Sequence, residues 1–469
     1  MDSPNSRAWW QRPGLGIMYQ IEFRPGWRWM RDFKKFNASM RDEEGRFRFN
    51  GPYCRIEEWI ELSKEIGADY HIFEIKWHDG ICWFRTSLTE WRTPIDYAKQ
   101  FAEGSRRAGI PFMFYYSSVI DHNPRFDRIN PSSWTPSYPA MRDGTYRRYL
   151  EEQMKEIVNQ YHPDGLWFDW YTMGLHPSEN VVAEFLRQYS PETVFTFNFT
   201  NQFAEEIQKH PESLKEWGLK RIVRMLAHGT LFIDRREVES FLPIARHLPP
   251  VLRGLMHTFL ERSRPERRDV IELVHYTTSE AHVLREAWKK ANRYRKLTRP
   301  WELIGPAGRA WDVMVLREDP LDLVRMVAIT LANGGKYAIG AAPRMNGSIY
   351  PDHVRQLKLV GDWYKPRRHL FIEATPMNYK GEHVPGLKEP RGIRAVGSRL
   401  GRDHLIHLFN FGVKGSYTLR FDRAFWPIEK VYIEPEHREL ETMRSGNRLL
   451  ISIPAKDADP IDTILRIQV

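Results

Sequence analysis

Over its first three quarters the chain alternates short apolar runs with stretches in which apolar residues recur every three or four positions. Gly16-Ile17-Met18-Tyr19-Gln20-Ile21 reads as a first strand. From about Arg55 to Ile66 the apolar side chains Ile56, Trp59, Ile60, Leu62 and Ile66 share one helical face, and Gly67 follows as a C-terminal cap. Further strands are predicted at Tyr70–Ile75, Pro111–Tyr116, Leu166–Phe168 and Thr193–Phe197, with a crossover helix from Tyr146 to Gln160. A late strand, Lys336–Gly340, precedes a helix from Val354 to Trp363. Strand and helix in repeated alternation predict an α/β fold, a (β/α)8-type TIM barrel over residues 1–370.

Two segments break the rhythm. Residues 201–268 are charged and mostly helical in pattern, and predict an insertion that covers the rim of the barrel or makes an oligomer contact. After about Phe371 the pattern turns to short alternating strands separated by Gly- and Pro-rich turns: Ile393–Val396, His404–Phe409, Tyr417–Phe421 and Leu449–Ile453. Residues 371–469 therefore predict a C-terminal antiparallel β-sandwich.

Composition narrows the class. The 469 residues are 42% hydrophobic, enough for a large core and a second small domain, and 13% aromatic, which suits sugar-stacking surfaces as well as a Trp-rich core. Cys54 and Cys82 are the only cysteines, which excludes a disulfide scaffold. The net charge of +10 comes from Lys and Arg scattered among Asp and Glu, as at Arg106-Arg107 and Lys289-Lys290, and not from one basic block. That predicts a solvated surface and no nucleic-acid partner, with an anionic glycan as the sharper alternative. No leader pattern and no membrane-spanning apolar run is present, so a cytoplasmic protein without a membrane partner is expected. A homo-oligomer is compatible with this composition.

In such a barrel, chemistry belongs at the C-terminal ends of the strands. Four ends carry it here: Gln20 and Glu22 after the first strand, Lys76-Trp77-His78-Asp79-Gly80 after the second, Tyr115-Tyr116-Ser117-Ser118 after the third, and Asp169 after the fourth. His71 alternates with core positions and is expected to be structural, and His122 lies on a loop that could line the site. The histidines lack metal-ligand spacing and no nucleotide fingerprint is present, so no metal and no cofactor are expected.

These segments also resemble a known family. Gly67-Ala68-Asp69-Tyr70 leading to Lys76-Trp77-His78-Asp79-Gly80, Phe114-Tyr115-Tyr116-Ser117, Leu166-Trp167-Phe168-Asp169, Pro300-Trp301-Glu302, and Asn333-Gly334-Gly335-Lys336 with Gly340-Ala341-Ala342-Pro343 and Gly347 resemble, in order and rough spacing, the motifs of the α-L-fucosidases, glycoside hydrolase family 29. The resemblance implies a retaining exo-glycoside hydrolase with a carbohydrate substrate. Asp169 would be the nucleophile of a covalent glycosyl-enzyme, with Trp167 and Trp170 shaping the pocket. The alternative for Asp169 is a helix cap. In the family the acid/base lies in a Tyr-x-Thr-x-Glu loop, which Tyr276-Thr277-Thr278-Ser279-Glu280 resembles. Glu280 is thus the first candidate, its pKa expected to be raised by an apolar site, with Glu302, Glu237 and Glu239 in reserve. The same four residues before Ala281 could instead begin the helix that runs to about Tyr294. Sugar contacts are expected from Gln20, Glu22, Trp77, His78, Tyr116, Trp167, Trp170 and Trp301.

Three departures bear on the sugar. Gln20-Ile21-Glu22 stands where the family has His-Trp-Gly, Trp77 replaces the first histidine of its pair, and Phe199 stands nearest its sugar-contacting arginine. A different, acidic or sulfated sugar is therefore an alternative substrate, and a non-catalytic carbohydrate-binding protein an alternative class.

Overall fold

The computed structural model describes residues 8–21, 38–118, 121–126, 144–169, 177–198, 274–297, 299–309, 311, 317–377, 384–411, 413, 415–422, 428–446 and 448–469, without the side chains of 177–181 and 445. Glu22, Trp170, Phe199, Glu237, Glu239 and the predicted insertion at 201–268 lie outside these residues.

Eight parallel strands form one sheet: β1 (Gly14–Tyr19), β2 (Tyr70–Lys76), β3 (Phe112–Ser117), β4 (Gly165–Asp169), β5 (Val194–Phe197), β6 (Thr277–Glu280), β7 (Trp301–Pro306) and β8 (Lys336–Ala341). Their order, β5-β4-β3-β2-β1-β8-β7-β6, is sequential around a cylinder. A parallel bridge from Asn198 to Thr278 joins its two ends, and Thr196 Oγ1 donates to the Tyr276 carbonyl across the same seam at 2.7 Å. Helices α1 (Ile56–Glu65), α2 (Tyr97–Ala108), α3 (Thr145–Tyr161), α4 (Pro177–Tyr189), α5 (Leu284–Tyr294), α6 (Leu321–Ala332) and α7 (Pro351–Tyr364) alternate with them. This is the TIM-barrel architecture that the alternation predicts.

Strands β6 and β7 differ from the sequence expectation. Thr277-Thr278-Ser279-Glu280 carries no apolar run and resembles a helix start, yet it pairs with β7 from Thr277–Trp301 to Glu280–Ile304, and α5 begins only at Leu284. A barrel interior accepts a polar strand because facing strands supply the partners. Thr278 Oγ1, for instance, donates to Glu302 Oε1 at 3.0 Å.

Alternation along each strand sorts side chains between the barrel interior and the helical shell. Tyr70, Trp167 and Thr278 point inward and converge on Glu302, whose carboxylate accepts from all three at 2.5, 3.0 and 3.0 Å. Burial raises the Glu302 carboxyl, and the nearby Lys336 opposes that shift. Glu302 is thus fully enclosed at the floor of the barrel, where the reserve role as a rim acid has no room. His71 points outward between Ser105 and Ser63, at 2.8 and 3.1 Å, and burial lowers its pKa to about 3.

A bulge between Glu74 and Lys76 breaks the alternation of β2. It turns Lys76 outward, where its ammonium pairs with Asp121 at 2.5 Å, both side chains fully buried, and lies 4.3 Å from the centre of the Tyr116 ring. Breaking such a buried pair by removing one partner costs about 3–5 kcal/mol, so the pair anchors the loop after β3.

Beyond residue 374 the strands form two antiparallel sheets. One has four strands, in the order Leu387–Lys388, Tyr417–Phe421, Arg448–Ile453 and Thr442–Ser445. The other has six and is centred on Ile393–Leu400, Asp403–Asn410 and Asp462–Gln468. A core containing Ile393, Ile406, Leu419, Phe421, Ile451 and Leu465 lies between them. Buried His407, which bonds Asp462 at 2.7 Å, stacks on Phe371 from the barrel side and ties the sheets to it.

Among the described residues no helix is long and apolar enough to cross a membrane.

Candidate active site

The C-terminal end of β4 delivers Asp169 to the barrel mouth, on the inward parity of Gly165 and Trp167. β6 delivers Glu280 in the same way, as its last residue. The residue that follows β5 joins them. Asn198 Nδ2 lies 3.0 Å from Asp169 Oδ1 and 2.7 Å from Glu280 Oε1. These two oxygens are therefore at most about 6 Å apart, on the scale of the roughly 5–5.5 Å between carboxyl groups that suits double displacement. Both carboxylates keep some exposure, 14% for Asp169 and 17% for Glu280, so a ligand can reach them.

Tyr115, on β3, donates its hydroxyl to Asp169 Oδ2 and stacks on Trp167 with ring centres 5.3 Å apart. Burial, and then the neighbouring Asp169 carboxylate, hold the Tyr115 hydroxyl well above its usual pKa, so it stays a donor. His78 approaches the same Oδ2 with Nε2 at 3.5 Å, and its Nδ1 meets Ser117 Oγ at 2.6 Å. Burial, followed by the proximity of His122 and Lys76, drives the His78 pKa well down. The ring is neutral, and its approach to Asp169 is a dipolar contact.

Glu280 is held more tightly than Asp169. His282 Nε2 lies 2.8 Å from Oε2, and Trp311 Nε1 donates to the same oxygen at 3.1 Å. Burial pushes the Glu280 carboxyl up, but His282, Asn198 and Trp311 together bring it below its usual value. The expected rise is therefore not observed: three N–H partners favour the anion more than burial disfavours it. Behind it, Lys290 donates to Ser279 Oγ and the Glu280 carbonyl at 3.1 and 2.7 Å. Arg317 holds the carbonyls of His282 and Pro306 at 3.0 and 2.8 Å and so fixes the tips of β6 and β7 together.

The structure brings Asp169, Glu280 and His78 together. Trp77 is nearly buried and stacks on His78 at 4.8 Å. Gln20 follows β1, its N–H bonded to the Ala341 carbonyl at 3.0 Å, and keeps partial exposure. Trp167 lies in the interior below Asp169, 2% exposed, with its indole N–H spent on Glu302.

Two expected sugar contacts lie elsewhere. Tyr116 faces the shell, its hydroxyl bonded to Gln153 of α3, because neighbouring residues of a strand face opposite sides. Tyr115 takes the inward place. Trp301 is the first residue of β7, at the opposite mouth of the barrel, where it packs on Tyr294 and against Gly335.

Three residues were missed, and Tyr115 was named only as part of its strand end; its register with the inward Trp167 is what singles it out. Asn198 could have been found as the residue at the tip of β5. His282 lies two residues beyond Glu280 and could have been found from that spacing, whereas Trp311 carries no local signal, because it reaches Glu280 from 31 positions away.

Replacing Tyr115 with phenylalanine removes one charge-assisted hydrogen bond and little volume. The kcat for an aryl glycoside should fall about 10- to 100-fold, with the melting temperature nearly unchanged. Steady-state kinetics beside thermal unfolding check this. An unchanged kcat would mean that the hydroxyl does not act on Asp169.

A parallel β/α barrel with two carboxylates converging at its C-terminal mouth, and antiparallel sheets behind, has the architecture of a glycoside-hydrolase barrel. Among glycoside hydrolases, the chain resembles the α-L-fucosidases, whose family model matches residues 20–220. An α-L-fucosidase of Dictyostelium discoideum is 23% identical over 142 residues, 29% of this chain and 30% of that protein, so the match spans about a third of the relative's length. The fold is shared over nearly the whole chain. The structure of Thermotoga maritima α-fucosidase in complex with fucose aligns with TM-score 0.62 at 16% identity, covering 98% of this chain and 96% of that one. α-L-Fucosidase isoenzyme 1 from Paenibacillus thiaminolyticus aligns with TM-score 0.63 at 16% identity, covering 98% and 97%. A family 29 α-L-fucosidase from Bacteroides thetaiotaomicron aligns with TM-score 0.62 at 13% identity, covering 100% and 95%.

Proposed function

We propose that the protein is a retaining exo-glycoside hydrolase of α-L-fucosidase type, with Asp169 as nucleophile and Glu280 as acid/base. The observation that carries this reading is the single amide of Asn198, which bonds both carboxylates and sets their separation. In the first step Asp169 attacks the anomeric carbon as the glycosidic C–O bond breaks and the leaving oxygen takes a proton from Glu280. In the second, water attacks the same carbon, gives its proton to Glu280 and releases Asp169. Tyr115 and Asn198 hold the attacking carboxylate in its ionised form and one orientation.

Some groups around the pair are uncharged or spent. Lys76 is committed to Asp121, and His78 is neutral. This favours an uncharged sugar such as fucose over an acidic or sulfated one, while Gln20 and Trp77 alter the groups that meet its hydroxyls.

The test is a panel of aryl α- and β-glycosides, with the anomer of the first-formed sugar followed by NMR. Hydrolysis of the α-L-fucoside with retention is expected. Release of the inverted anomer would overturn the double displacement, and turnover confined to a uronide or sulfated glycoside would overturn the sugar. No turnover of any member would favour a carbohydrate-binding protein.

A further inference from the structure

We propose that Glu280 and His282 act as one proton-carrying unit, in which His282 holds the proton that Glu280 delivers to the leaving oxygen. The inference rests on the acid/base reading of Glu280 and goes beyond it. Both oxygens of Glu280 already accept N–H donors, Asn198 on Oε1 and Trp311 on Oε2, and Oε2 also meets the His282 ring nitrogen. A carboxyl so surrounded is held as the anion, yet a general acid must carry a proton when substrate arrives. The imidazole 2.8 Å away is positioned to supply it.

The geometry around His282 fixes this contact. Arg317 bonds its carbonyl at 3.0 Å, its own N–H donates to Glu286 Oε2 at 2.9 Å, and its ring stands edge-on to Trp311 with centres 5.9 Å apart. His282 is therefore pinned by backbone on one side and an indole on the other. Its side chain keeps 23% exposure, so the unit can exchange protons with solvent. Among the described residues, the charged and titratable groups facing the pair include Asp169 beyond Asn198, Tyr115, Glu286, Lys290 at the Glu280 carbonyl and Arg317 at the His282 carbonyl.

The proton balance is closed. The unit enters the first step with one proton beyond those of a carboxylate and a neutral imidazole, shared along the Oε2–Nε2 contact while Nδ1 keeps its own hydrogen, beside an ionised Asp169. As the C–O bond breaks, that proton passes through Glu280 to the leaving oxygen, and a carboxylate and a neutral imidazole are left. When water attacks the glycosyl-enzyme, its proton returns through Glu280 to the pair. His282 touches no substrate and is a positioning residue, acting through Glu280.

A coupled pair titrates as a unit, so the proton that Glu280 delivers belongs to the pair and not to the carboxyl alone. Phenyl α-L-fucoside, whose leaving group needs protonation, is the kinetic probe. For His282→Gln, the basic limb of the kcat/KM profile should move down by at least about one pH unit. With 2,4-dinitrophenyl α-L-fucoside, whose departure needs no acid, kcat/KM of the variant should fall by a clearly smaller factor than with the phenyl substrate. A uniform loss of rate with an unmoved basic limb would mean that His282 only packs, and would overturn the proposal.

The second measurement is independent of turnover. In protein carrying 15N-imidazole histidine and 13C-carboxyl glutamate, the signals of His282 and Glu280 should titrate with shared midpoints. Each should lose one of them in the other's variant, His282→Gln or Glu280→Gln. Independent midpoints would overturn the unit even if fucosides are hydrolysed. If Glu280→Ala keeps full activity on phenyl fucoside while the two signals remain coupled, the acid/base reading fails and the unit stands as a proton-sharing pair.

Discussion

Replacing Asp169 with glycine should lower kcat/KM for 4-nitrophenyl α-L-fucoside by at least about 10⁴-fold, because the proposed covalent intermediate forms on that carboxylate. The side chain is 14% exposed and its three described partners, Tyr115, Asn198 and His78, sit at the mouth. Its loss should leave the melting temperature within a few degrees, so the two readouts separate chemistry from folding. The stereochemistry adds a sharper check. Azide entering the space of the missing carboxylate attacks from the nucleophile's side, displaces the leaving group once and yields the inverted fucosyl azide. Turnover that survives the substitution, or azide product of retained configuration, would remove Asp169 from the role proposed for it.

Replacing Glu280 with alanine should produce a loss that depends on the leaving group. General acid assistance contributes about 10²–10⁴-fold, and only where the departing oxygen is a poor leaving group. Phenyl α-L-fucoside should suffer that full loss, while the glycosylation step with 2,4-dinitrophenyl α-L-fucoside should be nearly unchanged. Azide would here enter after the glycosyl-enzyme has formed, on the face that Glu280 has vacated, and give the retained fucosyl azide. The opposite stereochemistry in the two variants distinguishes nucleophile from acid/base in one product analysis. An equal loss with both leaving groups would mean that Glu280 orients its neighbours and transfers no proton. Because Glu280 bonds Asn198, His282 and Trp311, the circular dichroism of the variant should be compared with the parent.

Parts of this site were legible in the sequence for a physical reason. Trp167 and Asp169 sit two apart on a short apolar run, which puts both on one face of a strand and the second at its tip. Lys76 to Gly80 follow a run of strand-forming residues, so His78 falls on a rim loop. Tyr116 was assigned to the wrong face because two adjacent tyrosines offer no contrast in polarity, and only the register with β4 shows which one turns inward. Glu280 was found through the family's Tyr-x-Thr-x-Glu pattern, with a helix start as the competing reading. Its strand is polar throughout, and the β7 residues that make it a strand lie 24 positions further on, from Thr277–Trp301 to Glu280–Ile304. Trp301 was assigned to the sugar on a motif alone, whereas its position at the first residue of β7 puts it at the other end of the barrel.

The sequence by itself determined the alternation of strands and helices, the change to antiparallel strands after about Phe371, and the carboxylate at the tip of β4. Each depends on periodicity or on neighbours within a few residues. Only the tertiary structure decided the electrostatics of the pair. Asn198, Glu280 and Trp311 meet across 82 and 31 positions, and Tyr115 reaches Asp169 across 54. Barrel closure brings those groups within hydrogen-bond reach, and it adds Asn198 and Trp311 to the neighbouring His282 in lowering the pKa of Glu280.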